Sequence, residues 1–266
     1  MGFNEIFSKN KVRESMKKFS KNEKVKLEVS IEKDINEVIE KFLNKKKLNI
    51  SDLDMLLNDV KNDVSKFEKV ITIVNKEGRY TELLFKFIDE MIDRKPSLSY
   101  DLIDFVKSRY GDKSILIASE FGTLELMKKL VAEGVDLYTA DESGWTALHF
   151  SSANGQLNVV RYLINEGFDV NVRNKDGMTP LQYAVIFKHR DIVEFLLENG
   201  ANPLLGGDKN YNGPFDLAYV MNDLTLMYFL KQAILNYAKV NKLKPWEKDI
   251  LQFYKDYYNI SYPTAS

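Results

Sequence analysis

The sequence predicts an all-α protein, built mainly as a solenoid of about four stacked helix-pair repeats. Two observations support this prediction. First, glycines recur at a spacing of 33 residues in two separate series, namely Gly111, Gly144 and Gly177, then Gly134, Gly167 and Gly200. Second, leucines recur in the same register at Leu130, Leu163 and Leu196. A fixed period of this length is the signature of a repeat architecture.

Within each unit, the pattern predicts a turn followed by two helices. Gly144 and Gly177 occupy positions where a tight turn requires a positive φ. Thr146 and Thr179 can cap the first helix, and Pro180 suits its first turn, where a backbone N–H has no partner. The second helix carries apolar residues at helical spacing. Because one helix pair cannot bury its apolar face alone, we expect neighbouring units to share a continuous core.

Two segments resemble the ankyrin repeat, residues 141–149 (DESGWTALH) and residues 174–181 (NKDGMTPL). The resemblance covers residues 108–233. It includes a first unit that lacks the Thr-Pro-Leu-His core and a fourth unit that is shifted by one inserted residue. It implies an ankyrin-repeat solenoid whose function is to bind another protein without catalysing a reaction.

Helical segments are predicted on both sides of the repeats. We expect residues 1–107 to form a helical region packed on the array, either as degenerate repeats or as a separate small bundle. Ser51 predicts the capping box of a helix, and two more helices are predicted before the first repeat, one ending near Pro96 and one containing residues 102–106. Residues 234–266 are expected to form a capping helix, starting at Pro245, and a tail.

Composition argues against several classes of protein. The chain has no cysteine, so disulfides, thiol catalysis and cysteine-ligated zinc are excluded. Its formal net charge of −1 argues against a surface built for nucleic acid. No stretch approaches the ~20 apolar residues that cross a bilayer, and the first residues do not resemble a signal peptide. We therefore expect a cytoplasmic protein that binds no membrane.

The residues that could support chemistry do not form a site. His149 lies in a repeat column where such a side chain bonds the neighbouring turn, and His189 is expected to be a solvated turn residue. Asp208 opens half of a calcium loop, but Tyr219 stands where that loop requires a glutamate. We expect no catalytic residue, no metal and no cofactor.

The resemblance implies that a partner protein binds in a concave groove formed by the turn tips and the exposed side of each first helix. Large apolar side chains in these positions are typical of interface hot spots. The predicted binding residues are Tyr110, Phe121, Glu142, Trp145, Asn154, Lys175, Met178, Phe187, Lys209 and Asn210.

The predicted function is therefore non-enzymatic protein binding, as a stoichiometric inhibitor of the immunity-protein type or as an adaptor. A secreted effector that acts on host proteins is the alternative within the binding class. An enzyme or a nucleic-acid-binding activity would have to lie in residues 1–107. The first fifty residues carry 13 Lys and Arg against 8 Asp and Glu, which is the only feature that favours nucleic acid.

Overall fold

A computed structural model describes residues 49, 51–52, 54–55, 81–94, 96–206 and 213–258 of the 266-residue chain. The chain divides into two compact units, residues 1–87 and residues 88–266. The repeats lie in the second unit.

In the first unit, a helix that includes residues 51–52 and 54–55 is capped by an asparagine. The N–H of Asn49 donates to Asp52 Oδ2 at 3.0 Å, and the N–H of Asp52 donates to Asn49 Oδ1 at 3.0 Å. The capping box predicted at Ser51 therefore starts two residues too late, because Asn49 and Asp52 form the reciprocal pair that such a box requires.

The two helices predicted before the first repeat are present. Helix α1 spans Thr81–Arg94 and helix α2 spans Pro96–Tyr110. Leu102 and Val106, one turn apart on α2, are fully buried, as helical spacing predicted. In the second unit, Asp89 on α1 accepts a hydrogen bond from the backbone N–H of Leu126 at 2.6 Å, which ties this helix to the first repeat.

Four helix pairs follow. The first two pairs are α3 (Lys113–Phe121) with α4 (Leu124–Ala132), and α5 (Ala147–Ala153) with α6 (Leu157–Asn165). The next two are α7 (Pro180–Ile186) with α8 (Arg190–Glu198), and α9 (Pro214–Val220) with α10 (Leu224–Val240). Among the described residues, one isolated antiparallel bridge between Ala140 and Thr146 is the only β pairing. The predicted all-α ankyrin solenoid is confirmed.

The first helices of the second and third pairs start at the threonine caps that the sequence predicted, Thr146 and Thr179. The N–H of Thr179 donates to Gln182 Oε1 at 2.9 Å, and the N–H of Gln182 donates back to Thr179 Oγ1 at 3.4 Å. Pro180 occupies the first position of α7. This reciprocal pair satisfies backbone donors that the helix cannot satisfy internally.

The four pairs share one core. Successive first helices pack directly on one another, α3 on α5, α5 on α7 and α7 on α9. Small side chains in one column allow this close approach, and all are fully buried: Ala118, Ser151, Ala184 and Ala218. The leucine column of the second helices is fully buried as well: Leu130, Leu163, Leu196 and Leu230.

A last helix, α11 (Pro245–Tyr258), covers the fourth pair. Tyr254 is fully buried, its hydroxyl donates to Asp216 Oδ2 at 2.8 Å, and its ring lies 5.4 Å from that of Phe215. Buried Glu247 accepts a hydrogen bond from Asn202 Nδ2 at 2.7 Å. Helix α11 thus removes from water the apolar face that a further repeat would otherwise cover.

Candidate protein-binding surface

The turn tips are held by side-chain hydrogen bonds that repeat from unit to unit. Asp141 Oδ1 accepts from the N–H groups of Ser143 at 2.9 Å and Trp145 at 2.8 Å. Asn174 Oδ1 accepts from the N–H groups of Asp176 and Met178 in the same way, at 3.1 and 2.9 Å. Such turns mimic a backbone turn and fix the side chains that follow. They set the positions of Trp145 and Met178.

Neighbouring tips are joined through the backbone. The N–H of Lys175 donates to the carbonyl of Ser143 at 3.0 Å. A side chain on Gly144 would lie 3.1 Å from that same nitrogen, and Gly144 has a φ of 78°. Glycine is therefore required here both for the turn and for the close approach of the next tip.

An aromatic cluster lies behind the second tip. The ring of Trp145 lies 4.2 Å from that of Tyr183 and 5.1 Å from that of Phe150. Asn174 Nδ2 donates to the Tyr183 hydroxyl at 2.9 Å. Trp145, Phe150 and Tyr183 are all half-buried, so part of each ring remains available to a partner. The cluster also joins two repeats, because Tyr183 belongs to α7 and Phe150 to α5.

His149 links the same two repeats from beneath the cluster. Its Nε2 lies 3.1 Å from the carbonyl oxygen of Met178, which can only accept, so Nε2 carries the proton. Its Nδ1 accepts the N–H of Thr146 at 3.2 Å, which closes the cap of α5. The neutral ring is therefore the form that fits. Burial lowers the pKa of His149, although the hydrogen bond to Met178 opposes this effect.

This pKa shift predicts a dependence of stability on pH. Below about pH 6.5, an unfolded histidine binds a proton that folded His149 resists, so the free energy of unfolding should fall as the pH drops. Above that pH, the contribution of His149 to the free energy of unfolding should be constant. We expect His149→Gln to remove this dependence, because Gln182 makes the equivalent cap with Thr179 in the next repeat.

The measurement is urea unfolding of both proteins between about pH 5 and pH 8. His189 is present in both proteins, so the difference between their curves isolates His149. Parallel curves throughout the range would contradict the assignment of a neutral, buried imidazole.

His189 makes a contact of the same kind on the other side of the repeats. Its Nε2 lies 3.0 Å from the carbonyl of Ala153, and Gln156, one repeat earlier, donates to the carbonyl of Glu120 at 3.0 Å. The expectation of a solvated turn residue is wrong, because the preceding repeat offers a helix-end carbonyl at this position. A methyl group on Gly155 would lie 2.8 Å from His189 Cε1, which explains why the preceding turn carries glycine.

The structure places eight of the ten predicted binding residues. Four are exposed: Glu142, Asn154, Lys175 and Phe187. Four are half-buried: Tyr110, Phe121, Trp145 and Met178. Lys209 and Asn210 lie outside the described residues. Phe187 is 52% exposed at the end of α7, which makes it the most accessible large apolar side chain of the set.

One column of the first helices was absent from the prediction. It follows the column of the capping threonines by four positions and consists of half-buried apolar side chains: Ile117, Phe150, Tyr183 and Leu217. The 33-residue spacing of Phe150 and Tyr183 was a signal for it. The predicted groove took its helix residues from later positions, such as Phe121 and Phe187, and did not include this column.

Within the parts of the chain that the structure describes, no helix combines the length and apolar character needed to span a bilayer. In those same parts, no group of three or more His, Cys, Asp or Glu side chains is placed to hold a metal ion.

A family model described as ankyrin repeats, in three copies, matches residues 115–205. These residues are the first three helix pairs and the tips between them. A search of curated proteins found none that matches. Ankyrin repeats are a module for protein–protein interaction.

Proposed function

We propose that this chain, which carries ankyrin repeats over residues 115–205, binds another protein in the concave groove formed by its turn tips and first helices. It acts through this binding, as a stoichiometric inhibitor of the immunity-protein type or as an adaptor. The exposed and half-buried aromatic side chains along this groove are the observation that carries the proposal.

Three features favour this surface. Phe187 is half exposed and Phe121, in the same column two repeats earlier, is half-buried. Between them lies the cluster of Trp145, Phe150 and Tyr183. Aromatic side chains bury a large apolar area at a small entropic cost, and they dominate interface energetics.

Rigidity of the groove supports tight binding. The tips are fixed by the hydrogen bonds of Asp141 and Asn174, and they are joined by the bond from Lys175 to Ser143. A surface that is ordered before it binds loses little conformational entropy when it binds. Tight binding in a fixed ratio is what a stoichiometric inhibitor requires.

The test begins with capture of a partner from the native cell extract and its identification by mass spectrometry. Affinity and stoichiometry are then measured by calorimetry. We expect Phe187→Ala to weaken binding about thirtyfold, because truncating an interface anchor often costs roughly 2 kcal/mol. Folding should be unaffected, since half of this side chain already faces water.

The matched control is Asn165→Glu, an exposed position on the second helix α6, which should bind like the parent. Circular dichroism checks that both variants are folded. If both Phe187→Ala and Phe121→Ala bind like the parent, the groove is not the binding surface. If the captured protein is a toxin whose activity the chain suppresses at equimolar ratio, the inhibitor form is favoured over the adaptor form.

A further inference from the structure

A second concave feature lies on the other side of the repeats, between the second helices α8 and α10. It is a cleft of about 470 Å³. Helix α10 has 17 residues where α8 has 9, so its last turns extend beyond its neighbour and form one wall. None of the predicted groove residues lines this cleft.

The cleft is lined by both apolar and acidic side chains. Leu197, Phe229, Ala233 and Tyr237 contribute apolar surface, and Glu194 and Glu198 contribute carboxylates. The two glutamates are four residues apart on α8, so their carboxylates lie on one face of that helix. Both are exposed, and neither forms an ion pair with another of the described residues.

The repeat register shows what is missing from this cleft. One repeat earlier, the guanidinium of Arg161 lies over the ring of Phe195, 4.4 Å from its centroid. Two repeats earlier, Lys128 lies close enough to Tyr162 that its charge lowers the tyrosine's pKa, against the larger raising effect of burial. In both cases a cation and an aromatic ring occupy these two columns; Arg161 lies over its ring, whereas the Lys128 ammonium pairs with Glu125 Oε1 at 2.7 Å.

The third pair in this series breaks the pattern. The residues at the corresponding positions are Glu194 and Phe229. The aromatic ring is kept, but an anion replaces the cation, and Phe229 remains 36% exposed. The result is an aromatic face beside two carboxylates, which together attract a cation with an apolar stem.

We propose that this cleft binds a basic side chain, arginine or lysine, presented by an apolar segment of a partner protein. The bound cation takes the place over Phe229 that Arg161 takes over Phe195, and it pairs with Glu194 and Glu198. The aliphatic stem and its apolar neighbours pack on Leu197 and Ala233. This site is separate from the groove of the proposed function, so one chain can hold two partners or two parts of one partner.

The probe for this site is a fluorescein-labelled, capped amphipathic peptide with leucines on one face and arginines on the other. A second peptide carries glutamate in place of every arginine. We expect the arginine peptide to bind at low salt, measured by fluorescence anisotropy, and the glutamate peptide not to bind. Affinity should fall as salt is raised, because the partners are oppositely charged.

Two variants locate the peptide. Glu194→Arg supplies the chain's own guanidinium to Phe229 and should lower the affinity at least about tenfold. Glu194→Gln removes the charge without adding a cation and should lower the affinity by less. The matched control is Glu166→Gln, which removes an exposed carboxylate at the end of α6 and should leave binding unchanged.

Three outcomes would overturn the proposal: equal binding of both peptides, equal affinity of Glu194→Arg and the parent, or loss of affinity in Phe187→Ala. The last outcome would place the peptide in the groove. Because Phe187→Ala tests the groove and Glu194→Arg tests the cleft, failure of one proposal leaves the other standing.

Discussion

Replacing Leu163 with alanine is expected to lower the free energy of unfolding by about 2–5 kcal/mol. Leu163 is fully buried, and so are its counterparts Leu130 and Leu196 in the neighbouring repeats. Truncation removes apolar contacts and leaves a cavity between two stacked helix pairs. Because each repeat is supported only by its neighbours, the weakened pair lowers the stability of the whole array.

The measurement is urea unfolding followed by far-ultraviolet circular dichroism. Asn165→Ala, at an exposed position two residues later on the same helix, is the matched control and should change stability by no more than about 0.5 kcal/mol. If Leu163→Ala unfolds at the same urea concentration as Asn165→Ala, the leucine column is not the core of the solenoid.

The sequence was sufficient to predict the repeats because each structural requirement appears several times in one register. A capping threonine, a small residue and a buried leucine each recur at the same spacing, as at Thr146 and Thr179. A single capping signal outside the repeats was less reliable. The box predicted at Ser51 lies two residues after the observed cap at Asn49, because this signal has no second copy in the chain that would fix its register.

Contacts between repeats were harder to predict than the repeats themselves. Trp145 was expected to project from a tip, yet its ring lies against Tyr183, which is 38 residues later in the chain. His189 was expected to be solvated, yet it reaches Ala153, which is 36 residues earlier. Such contacts depend on the offset with which one repeat stacks on the next, and periodicity within a unit does not contain that offset.

The contact between Trp145 and Tyr183 affects which residue can report on binding in the groove. Because Trp145 joins two repeats, its truncation changes stability as well as binding, and it cannot serve as a clean probe of the groove. Phe187 is a better probe, because its side chain is half exposed and it is not part of the ring cluster of Trp145, Phe150 and Tyr183.

The end of the solenoid provides the second large effect. Tyr254→Ala is expected to lower the free energy of unfolding by about 3–5 kcal/mol, the range found for fully buried aromatic side chains. Tyr254 has no exposed surface, its ring packs on Phe215, and its hydroxyl donates to half-buried Asp216 at 2.8 Å. The pair joins α11 to α9, and burial there raises the pKa of both Tyr254 and Asp216.

Tyr254→Phe separates packing from hydrogen bonding at this position. It keeps the ring and removes one donor to the Asp216 carboxylate, so we expect a smaller loss of about 1–3 kcal/mol. Tyr257→Ala, on the exposed side of the same helix, is the control and should change stability by no more than about 0.5 kcal/mol. In urea unfolding, the free energy of unfolding should therefore be lowest for Tyr254→Ala, higher for Tyr254→Phe, and highest for Tyr257→Ala and the parent. If Tyr254→Ala unfolds at the same urea concentration as Tyr257→Ala, α11 does not shield the last repeat. The apolar end of α9 would then be open to a partner.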